Sequence, residues 1–305
     1  MVPVLGKIEA LFAYVMDPVK NAPTGRVIPD QLHADLQHEA TTCSGGDSTL
    51  STALCLDNND NIRVTGKIDG TCCRVYKGRL WARQDIRCGR QSGAQLPPSD
   101  KWPMGWMPTN GTTPDAGGHV IGFRPAKLPG DPWHLDALVV VSAAAAALTS
   151  ERSADKSAAE HIRRWKYDAS LDALVETIVP LAELEGQTVE LIGPKVQGNP
   201  HGVPKHGIVV HGSIVIPDLD WTQFDKIRQF MTDTALGRRL EGIVLHHCGT
   251  QKLYKLHRGH MELPHKLEHF PVIEVQIMTR QDLVQGYLDK ENYDRSCQSR
   301  LYVCK

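Results

Sequence analysis

Alternating apolar and polar positions through the middle of the chain predict a protein built mainly of strands. The clearest case is residues 64–76, an apolar strand that turns at Asp69-Gly70 and resumes with alternating polarity. Gly78 then predicts a hairpin turn, with residues 79–85 as the returning strand. Further strands are predicted over the other apolar stretches, namely 52–56, 135–147, 186–193, 207–216, 242–245, 251–258 and 271–278.

Helical periodicity is confined to short segments. Residues 221–231 place Phe224, Ile227 and Phe230 on one stripe, which predicts an amphipathic helix with Asp218 or Asp220 as its cap. Three other helices are predicted, at 31–39, 153–165 and 280–289. Sheets with a few flanking helices place the chain in the α+β class.

Residues 89–133 are rich in proline, glycine and tryptophan and predict a long ordered loop region that covers the sheet. Trp102, Trp106 and Trp133 are expected to pack in it, because large aromatic side chains are usually buried. Stacking of these rings on nucleic-acid bases is the alternative.

Composition narrows the function classes. The 305 residues are 41% hydrophobic and 23% charged, as in soluble globular proteins. The net charge is −1, so any site for a polyanion must be a local concentration of charge. Eight cysteines without a C-x-x-C pair argue against a zinc ribbon and for reduced thiols, and His246-His247-Cys248 are consecutive and cannot converge on one ion. With no signal-peptide pattern and no apolar run long enough for a bilayer, we predict a soluble intracellular protein without a membrane partner, cytoplasmic or nuclear in a eukaryote.

Lys67 is the first candidate for chemistry. It ends an apolar strand and is followed by Asp69, which can orient it, and by Gly70, which lets a ligand approach the backbone. A desolvated lysine amine is a nucleophile. In a regular hairpin Arg83 returns towards Lys67, where a second cation would hold a phosphate. An ordinary Asp-Gly turn with an exposed lysine is the simpler interpretation.

Two glutamates stand in apolar surroundings. Glu190 lies between Val189 and Leu191, where a carboxylate is either paired for structural reasons or directed at a ligand. Glu241 begins a second apolar strand, and the basic stretch with Lys252 and Lys255 follows it.

Taken in chain order, these features resemble the covalent nucleotidyltransferase superfamily, which comprises ATP-dependent DNA and RNA ligases and GTP-dependent mRNA capping enzymes. The longer stretches Lys67-Ile-Asp-Gly-Thr-Cys-Cys73 and Leu80-Trp-Ala-Arg-Gln-Asp85 are similar to the vertebrate-type ATP-dependent 5′-to-3′ RNA ligase family. Three further stretches add to the resemblance, which covers about residues 60–260: Gly118-His-Val-Ile-Gly122, Glu190-Leu-Ile-Gly193 with Gly198-Asn-Pro-His-Gly202, and Glu241-Gly-Ile-Val244 with Lys255-Leu-His-Arg258.

The resemblance implies a nucleotidyltransferase (adenylation-domain) fold, in which antiparallel sheets frame a nucleotide cleft and helices flank them. We expect N-terminal elements packed on the core (1–62), an adenylation core (63–262) and a C-terminal strand-helix extension (263–305). The extension leaves little chain for an OB domain.

The resemblance also implies roles for the residues. Lys67 is expected to take AMP from ATP as a phosphoramidate, and Asp69, Gly70 and Arg83 to bind the nucleotide. Glu190 is expected at the ribose and a metal, and Glu241 at a divalent cation, Mg²⁺ or Mn²⁺. The α-phosphate is assigned to Lys255 with Lys252, which are three residues apart where the superfamily has lysines two apart, and His211 is the candidate for stacking on the base.

The implied function is an ATP-dependent RNA ligase that joins RNA 5′-phosphate and 3′-hydroxyl ends through lysyl-AMP. Two alternatives remain open from the residues. One is a GTP-dependent capping-type transferase, and the other is a catalytically silent RNA-binding module that keeps the fold.

Overall fold

The computed structural model describes residues 8–17, 22–37, 62–88, 95–109, 111–115, 117–127, 129–139 and 161–274. In these residues strands predominate and helices are few and short, in agreement with the expected α+β class. The strand predicted at 52–56 and the helix predicted at 280–289 lie outside the described residues.

The strands of the described residues, in chain order, are β1 (Glu9–Ala10), β2 (Phe12–Asp17), β3 (Ala22–Leu32), β4 (Ile62–Lys67), β5 (Thr71–Tyr76), β6 (Arg79–Arg83), β7 (Ile86–Arg87), β8 (Met107–Pro108), β9 (His119–Val120), β10 (Gly122–Pro125), β11 (Leu138–Val139), β12 (His161–Asp168), β13 (Ala173–Pro180), β14 (Thr188–Ile192), β15 (Gly207–Val210), β16 (Gly242–His247), β17 (Leu253–His257) and β18 (Val272–Ile273). The α-helices whose full extent lies in the described residues are α1 (Pro132–Asp136), α2 (Phe224–Asp233) and α3 (Ala235–Arg239). Short 3-10 helices cover Ala34–Leu36, Ser99–Lys101, Leu181–Leu184 and Arg258–Met261. None of the helices in this part of the chain combines the length and the apolar surface that a membrane crossing requires.

A four-stranded sheet, called the small sheet here, has the order β1-β17-β16-β4. β16 is antiparallel to both β4 and β17, with Gly242 opposite Lys67 and Val244 opposite Lys255. All six residues of β16 are buried, as expected of a central strand.

A ten-stranded sheet, called the large sheet here, has the order β18-β13-β12-β15-β14-β5-β6-β10-β8, with β11 pairing on β12. The predicted hairpin forms between β5 and β6, and Lys77 and Gly78 both have positive φ, as a two-residue type I′ turn requires. β14 pairs with β5 on one side and β15 on the other, with Glu190 opposite Cys72 and Val209.

Two apolar cores lie against these sheets. One contains residues of the small sheet, such as Ile243 and Leu256, together with Ile227 and Met231 of α2. The other contains alternate residues of the large sheet, including Cys73, Val75, Val189 and Ile208. Each strand therefore turns one set of alternate side chains to a core and the other set towards the opposite face.

The helix predicted over 153–165 is wrong in its described part. Residues 161–168 form β12, which pairs with β13 over eight residue pairs and contacts β15 on its other side. Ile162 and Trp165 are fully buried there, so tertiary pairing overrides the helical pattern. The basic residues of this stretch lie on a strand and do not close a helix.

Smaller corrections concern caps and loops. α2 begins at Phe224 after Gln223, and the Asp220 carboxylate instead accepts hydrogen bonds from Thr222 and Gln223 ahead of the helix. Of the helix predicted at 31–39, residues 31 and 32 belong to β3 and Ala34–Leu36 form a 3-10 turn, whereas residues 38 and 39 lie outside the described part. In the predicted strand 135–147, β11 covers two residues, and residues 140–147 lie outside the described part.

The tryptophan-rich region packs as predicted at two of its three rings. Trp106 is buried, and Trp102 contacts it edge to face. Trp133 is 40% exposed and stacks on His206, so its predicted burial is wrong.

Candidate active site

Lys67 is the last residue of β4 and stands where the small sheet meets the large one. The β4–β16 pairing brings Glu241 beside it, and the Glu241 backbone N–H donates to the Lys67 carbonyl oxygen over 2.9 Å. The Lys67 Nζ donates to the Glu241 carboxylate. Both side chains are about a quarter exposed, at 24% and 28%, so the pair faces a space that a ligand can enter.

The turn after Lys67 is held from two sides. The Asp69 backbone N–H donates to His201 Nε2 over 3.0 Å, and burial lowers the pKa of His201 to about 4, so this imidazole is neutral at pH 7. Gly70 packs against β14, where an added Cβ would lie 2.3 Å from the Leu191 carbonyl oxygen and 2.9 Å from the Glu190 Cγ. Only glycine fits this approach, which sets the distance from the turn to the strand that carries Glu190.

Asp69 lies in a cluster of acidic side chains. Burial and then the nearby charge of Glu241 raise its pKa, Lys67 opposes the shift, and Glu190 adds to it. A carboxyl group whose negative neighbours disfavour its ionisation marks a place where a cation would be stabilised.

Glu190 is buried in the middle of β14, and its carboxylate contacts His211 Nε2 at 2.7 Å. The buried carboxylate thus has a hydrogen-bond partner on the neighbouring strand segment. His211, the candidate for base stacking, therefore has a polar partner in the site. Its Nδ1 is buried and has no hydrogen-bond partner among the described residues.

Arg83 ends β6 of the large sheet and lines the same space as Lys67. Its guanidinium donates two hydrogen bonds to the Asp85 carboxylate, from Nε to Oδ1 over 2.9 Å and from Nη2 to Oδ2 over 2.8 Å. It also lies beside the Cys72 thiol, whose pKa burial raises to about 12. A phosphate that bound Arg83 would compete with the Asp85 carboxylate for the same donors.

The two candidate lysines, Lys252 just before β17 and Lys255 within it, lie in different places. The Lys255 side chain reaches the space around Lys67, whereas the Lys252 Nζ pairs with Asp35 at 2.5 Å on an exposed surface. Tyr254, between them along the chain, is fully buried, so the strand turns Lys255 towards the cavity.

His257 was missed by the sequence reasoning. It lies two residues after Lys255, on the same face of β17. Burial, together with the nearby His260, Lys255 and Lys67, lowers its pKa to about 3, so it is neutral at pH 7. Period-two alternation counted from Lys255 would have identified it as a neighbour of the site.

One cavity of about 690 Å³ joins these features. The small sheet contributes Lys67 and Lys255, the turn after Lys67 contributes Gly70, and the large sheet contributes Arg83 and Glu190. His211 also lines this space, which thus holds six of the nine predicted site residues, with Glu241 in contact with Lys67 and Asp69 in the adjoining turn. Lys252 lies outside it. The three consecutive residues 246–248 form no metal-binding group with other described residues.

The sequence model of the RNA ligase 1 family matches residues 103–303. RNA ligase 1 of Mus musculus is 29% identical over 268 residues, which cover 77% of this chain and 76% of that protein. RNA ligase 1 of Danio rerio is 30% identical over 267 residues, covering 76% and 74%. RNA ligase 1 of Rattus norvegicus is 28% identical over 264 residues, covering 75% of each chain. The family model and these relatives show that the chain belongs to the RNA ligase 1 family.

Proposed function

We propose that this chain is an ATP-dependent RNA ligase that seals 5′-phosphate and 3′-hydroxyl RNA ends through a covalent lysyl-AMP intermediate. RNA as the substrate follows from the names of its relatives. The observation that carries the proposal is the single cavity in which a lysine, an arginine, a second lysine and a buried glutamate converge. Under the proposal this two-sheet arrangement is a nucleotidyltransferase fold and the cavity is its nucleotide site.

In the first step the Lys67 amine attacks the α-phosphorus of ATP. An N–P bond forms, the bond between the α-phosphorus and the bridging oxygen breaks, and pyrophosphate leaves. The amine must first lose a proton, and Glu241 lies in contact with Nζ, where its carboxylate can accept that proton. Glu241 thus holds the nucleophile in place before reaction.

Two cationic side chains, one from each sheet, are assigned to neutralise the charge of the phosphates. Lys255 approaches from the small sheet and Arg83 from the large sheet. Phosphoryl transfer depends on positioning and charge neutralisation, so cations on both sides of the α-phosphate favour the transition state. Arg83 exchanges Asp85 for phosphate as the nucleotide enters.

The residues also fit a divalent cation. Mg²⁺ and Mn²⁺ are held by one or two carboxylates together with substrate phosphates and water. Glu241 and Glu190 supply such carboxylates, and their charge adds to burial in raising the pKa of Asp69. A bound Mg²⁺ or Mn²⁺ supplies charge neutralisation at the phosphates.

In the second step an oxygen of the RNA 5′-phosphate attacks the phosphorus of lysyl-AMP, and the Lys67 amine leaves. AMP is now joined to the RNA end by a pyrophosphate linkage. In the third step the RNA 3′-hydroxyl attacks the 5′-phosphate, a phosphodiester forms and AMP leaves. Each step exchanges one bond to phosphorus for another, so no further reactant is needed.

The test is transfer of label from α-labelled ATP to the protein with Mg²⁺, followed by denaturing electrophoresis. We expect label on the wild-type protein and none on Lys67→Ala. Lys252→Ala is the matched control, because this lysine lies outside the cavity and pairs with Asp35. α-Labelled GTP is run in parallel.

Label from GTP and not from ATP would replace the ligase with a capping-type transferase. Absence of label from either nucleotide, in protein shown by mass to carry no AMP beforehand, would contradict the proposal and favour a silent RNA-binding module. Labelled protein that then seals a nicked RNA carrying a 5′-phosphate completes the assignment.

A further inference from the structure

Three side chains with metal-binding donor atoms (a sulfur, a nitrogen and an oxygen) meet on one wall of the cavity. The Cys72 Sγ, a Glu190 carboxylate oxygen and a His211 ring nitrogen all lie within 4.8 Å of one another. We propose that these three residues form a binding site for Zn²⁺ or a chemically similar transition-metal ion, distinct from the Mg²⁺ or Mn²⁺ used with the nucleotide.

The strands of the large sheet assemble this site. Cys72 on β5 is directly opposite Glu190 on β14, so their side chains share a face. His211 immediately follows β15, on the other side of β14, and its backbone N–H donates to the Thr188 carbonyl oxygen over 3.2 Å. Three adjacent strands therefore fix three donors, and the neighbouring Cys73 is turned to the core instead.

The three donor atoms, a sulfur, a nitrogen and an oxygen, favour Zn²⁺ over Mg²⁺. Mg²⁺ prefers oxygen ligands, whereas Zn²⁺ binds cysteine sulfur, histidine nitrogen and carboxylate oxygen together. Sites with three protein ligands leave the fourth tetrahedral position open, and here that position faces the cavity.

The spacing suits an ion placed between the side chains. In a tetrahedral site with bonds of about 2.0–2.3 Å, two ligand atoms of one zinc ion lie about 3.3–3.6 Å apart. The His211–Glu190 contact is 2.7 Å, so this pair must open to admit the ion, and the Cys72 Sγ, which lies within 4.8 Å of both donors, must close to the same separation. The charge of the ion removes the thiol proton on binding.

The consequence for catalysis rests on the proposed function. An ion held by Cys72 would fix Glu190 as its ligand and occupy the wall of the cavity against which the nucleotide is expected. Zinc is then an inhibitor of lysyl-AMP formation, and its effect depends on the thiol.

The site itself is tested without any activity measurement. Co²⁺ replaces Zn²⁺ in such sites and gives a thiolate-to-cobalt charge-transfer absorption in the near ultraviolet. Because the chain has eight cysteines, the measured quantity is the difference between wild-type and variant spectra during Co²⁺ titration. Cys72→Ser is the test variant, and Cys248→Ser, which removes an exposed cysteine outside the cavity, is the matched control.

We expect one equivalent of Co²⁺ absorption that is lost in Cys72→Ser, retained in Cys248→Ser and displaced by Zn²⁺. His211→Ala should weaken the Co²⁺ affinity by at least about tenfold, as removal of a group at a metal site does. Thermal unfolding of each variant separates loss of the site from loss of the fold. Equal spectra for wild type and Cys72→Ser, with both proteins folded, would overturn the proposal.

A second arm measures Zn²⁺ inhibition of AMP labelling at fixed Mg²⁺, each variant relative to its own zinc-free value. Cys72→Ser should raise the half-inhibiting Zn²⁺ concentration at least about tenfold over wild type, whereas Cys248→Ser should leave it unchanged. Absence of AMP labelling contradicts the proposed function and leaves the cobalt result to decide the metal site.

Discussion

The hydrogen bond between His211 and Glu190 separates two roles for His211. If its ring stacks on the adenine base, an aromatic replacement should preserve activity. If it orients Glu190, as the 2.7 Å contact indicates, a replacement that keeps a hydrogen-bond donor should preserve activity instead. His211→Phe and His211→Gln are therefore a matched pair, with His211→Ala as the reference.

The size of the effect follows from the burial of Glu190, whose side chain is only 11% exposed. A hydrogen bond to a charged partner contributes about 1.5–3 kcal/mol, and loss of the partner leaves the carboxylate poorly solvated. At about 1.4 kcal/mol per tenfold, losing this interaction in the transition state lowers the rate of lysyl-AMP formation by about 10- to 150-fold.

The assay is single-turnover formation of labelled protein from α-labelled ATP, with thermal unfolding to compare stabilities. We expect the rate of labelling to be about 10- to 150-fold lower in His211→Ala and His211→Phe than in wild type. The rate in His211→Gln should be close to that of wild type. Full activity in His211→Phe with low activity in His211→Gln would refute the orienting role and support stacking.

Three further predictions test the surroundings of Lys67. Gly70→Ala should lower the free energy of unfolding by about 1–3 kcal/mol in denaturant titration, because the new Cβ overlaps the Leu191 carbonyl oxygen. An unchanged unfolding midpoint would contradict this, since it would mean that β14 moves aside without loss of stability. Lys255→Ala should reduce AMP labelling strongly while Lys252→Ala does not, and equal losses would contradict the separation of the two lysines. Asp69 has a raised pKa in the folded protein, so the folded state binds its proton more tightly than the unfolded state, and stability falls as pH rises from 3.8 through the folded-state pKa. Asp69→Asn should therefore unfold at a higher denaturant concentration than wild type at pH 7, and a lower midpoint would contradict the sign.

The features that the sequence predicted well are local. The turn at Asp69-Gly70 and the hairpin at Gly78 follow from glycine and from period-two alternation, which depend on neighbouring residues alone. The expected proximity of Arg83 to Lys67 also follows, because a regular hairpin fixes where its returning strand ends.

The features that were missed depend on contacts between distant parts of the chain. Residues 161–168 carry β-favouring side chains, yet only the pairing with β13 and β15 decides that they form a strand. The role of His211 depends on the register between β14 and β15. Lys252 and Lys255 are both plausible by residue type, and only the packing of Tyr254 into the core determines which lysine faces the cavity.

The Lys-Ile-Asp-Gly stretch connects the two sheets, which explains why so short a motif organises the site. β4 ends at Lys67 in the small sheet, and β5 begins at Thr71 in the large one. Glu241 is aligned with the lysine by the β4–β16 pairing, whereas Glu190 is aligned by the contact of Gly70 with β14. The distance between Lys67 and the buried Glu190 is therefore set by three residues of backbone, and a change of either sheet relative to the other would alter it. For this reason the steric fit of Gly70 matters as much for the geometry of the site as the charged residues do for its chemistry.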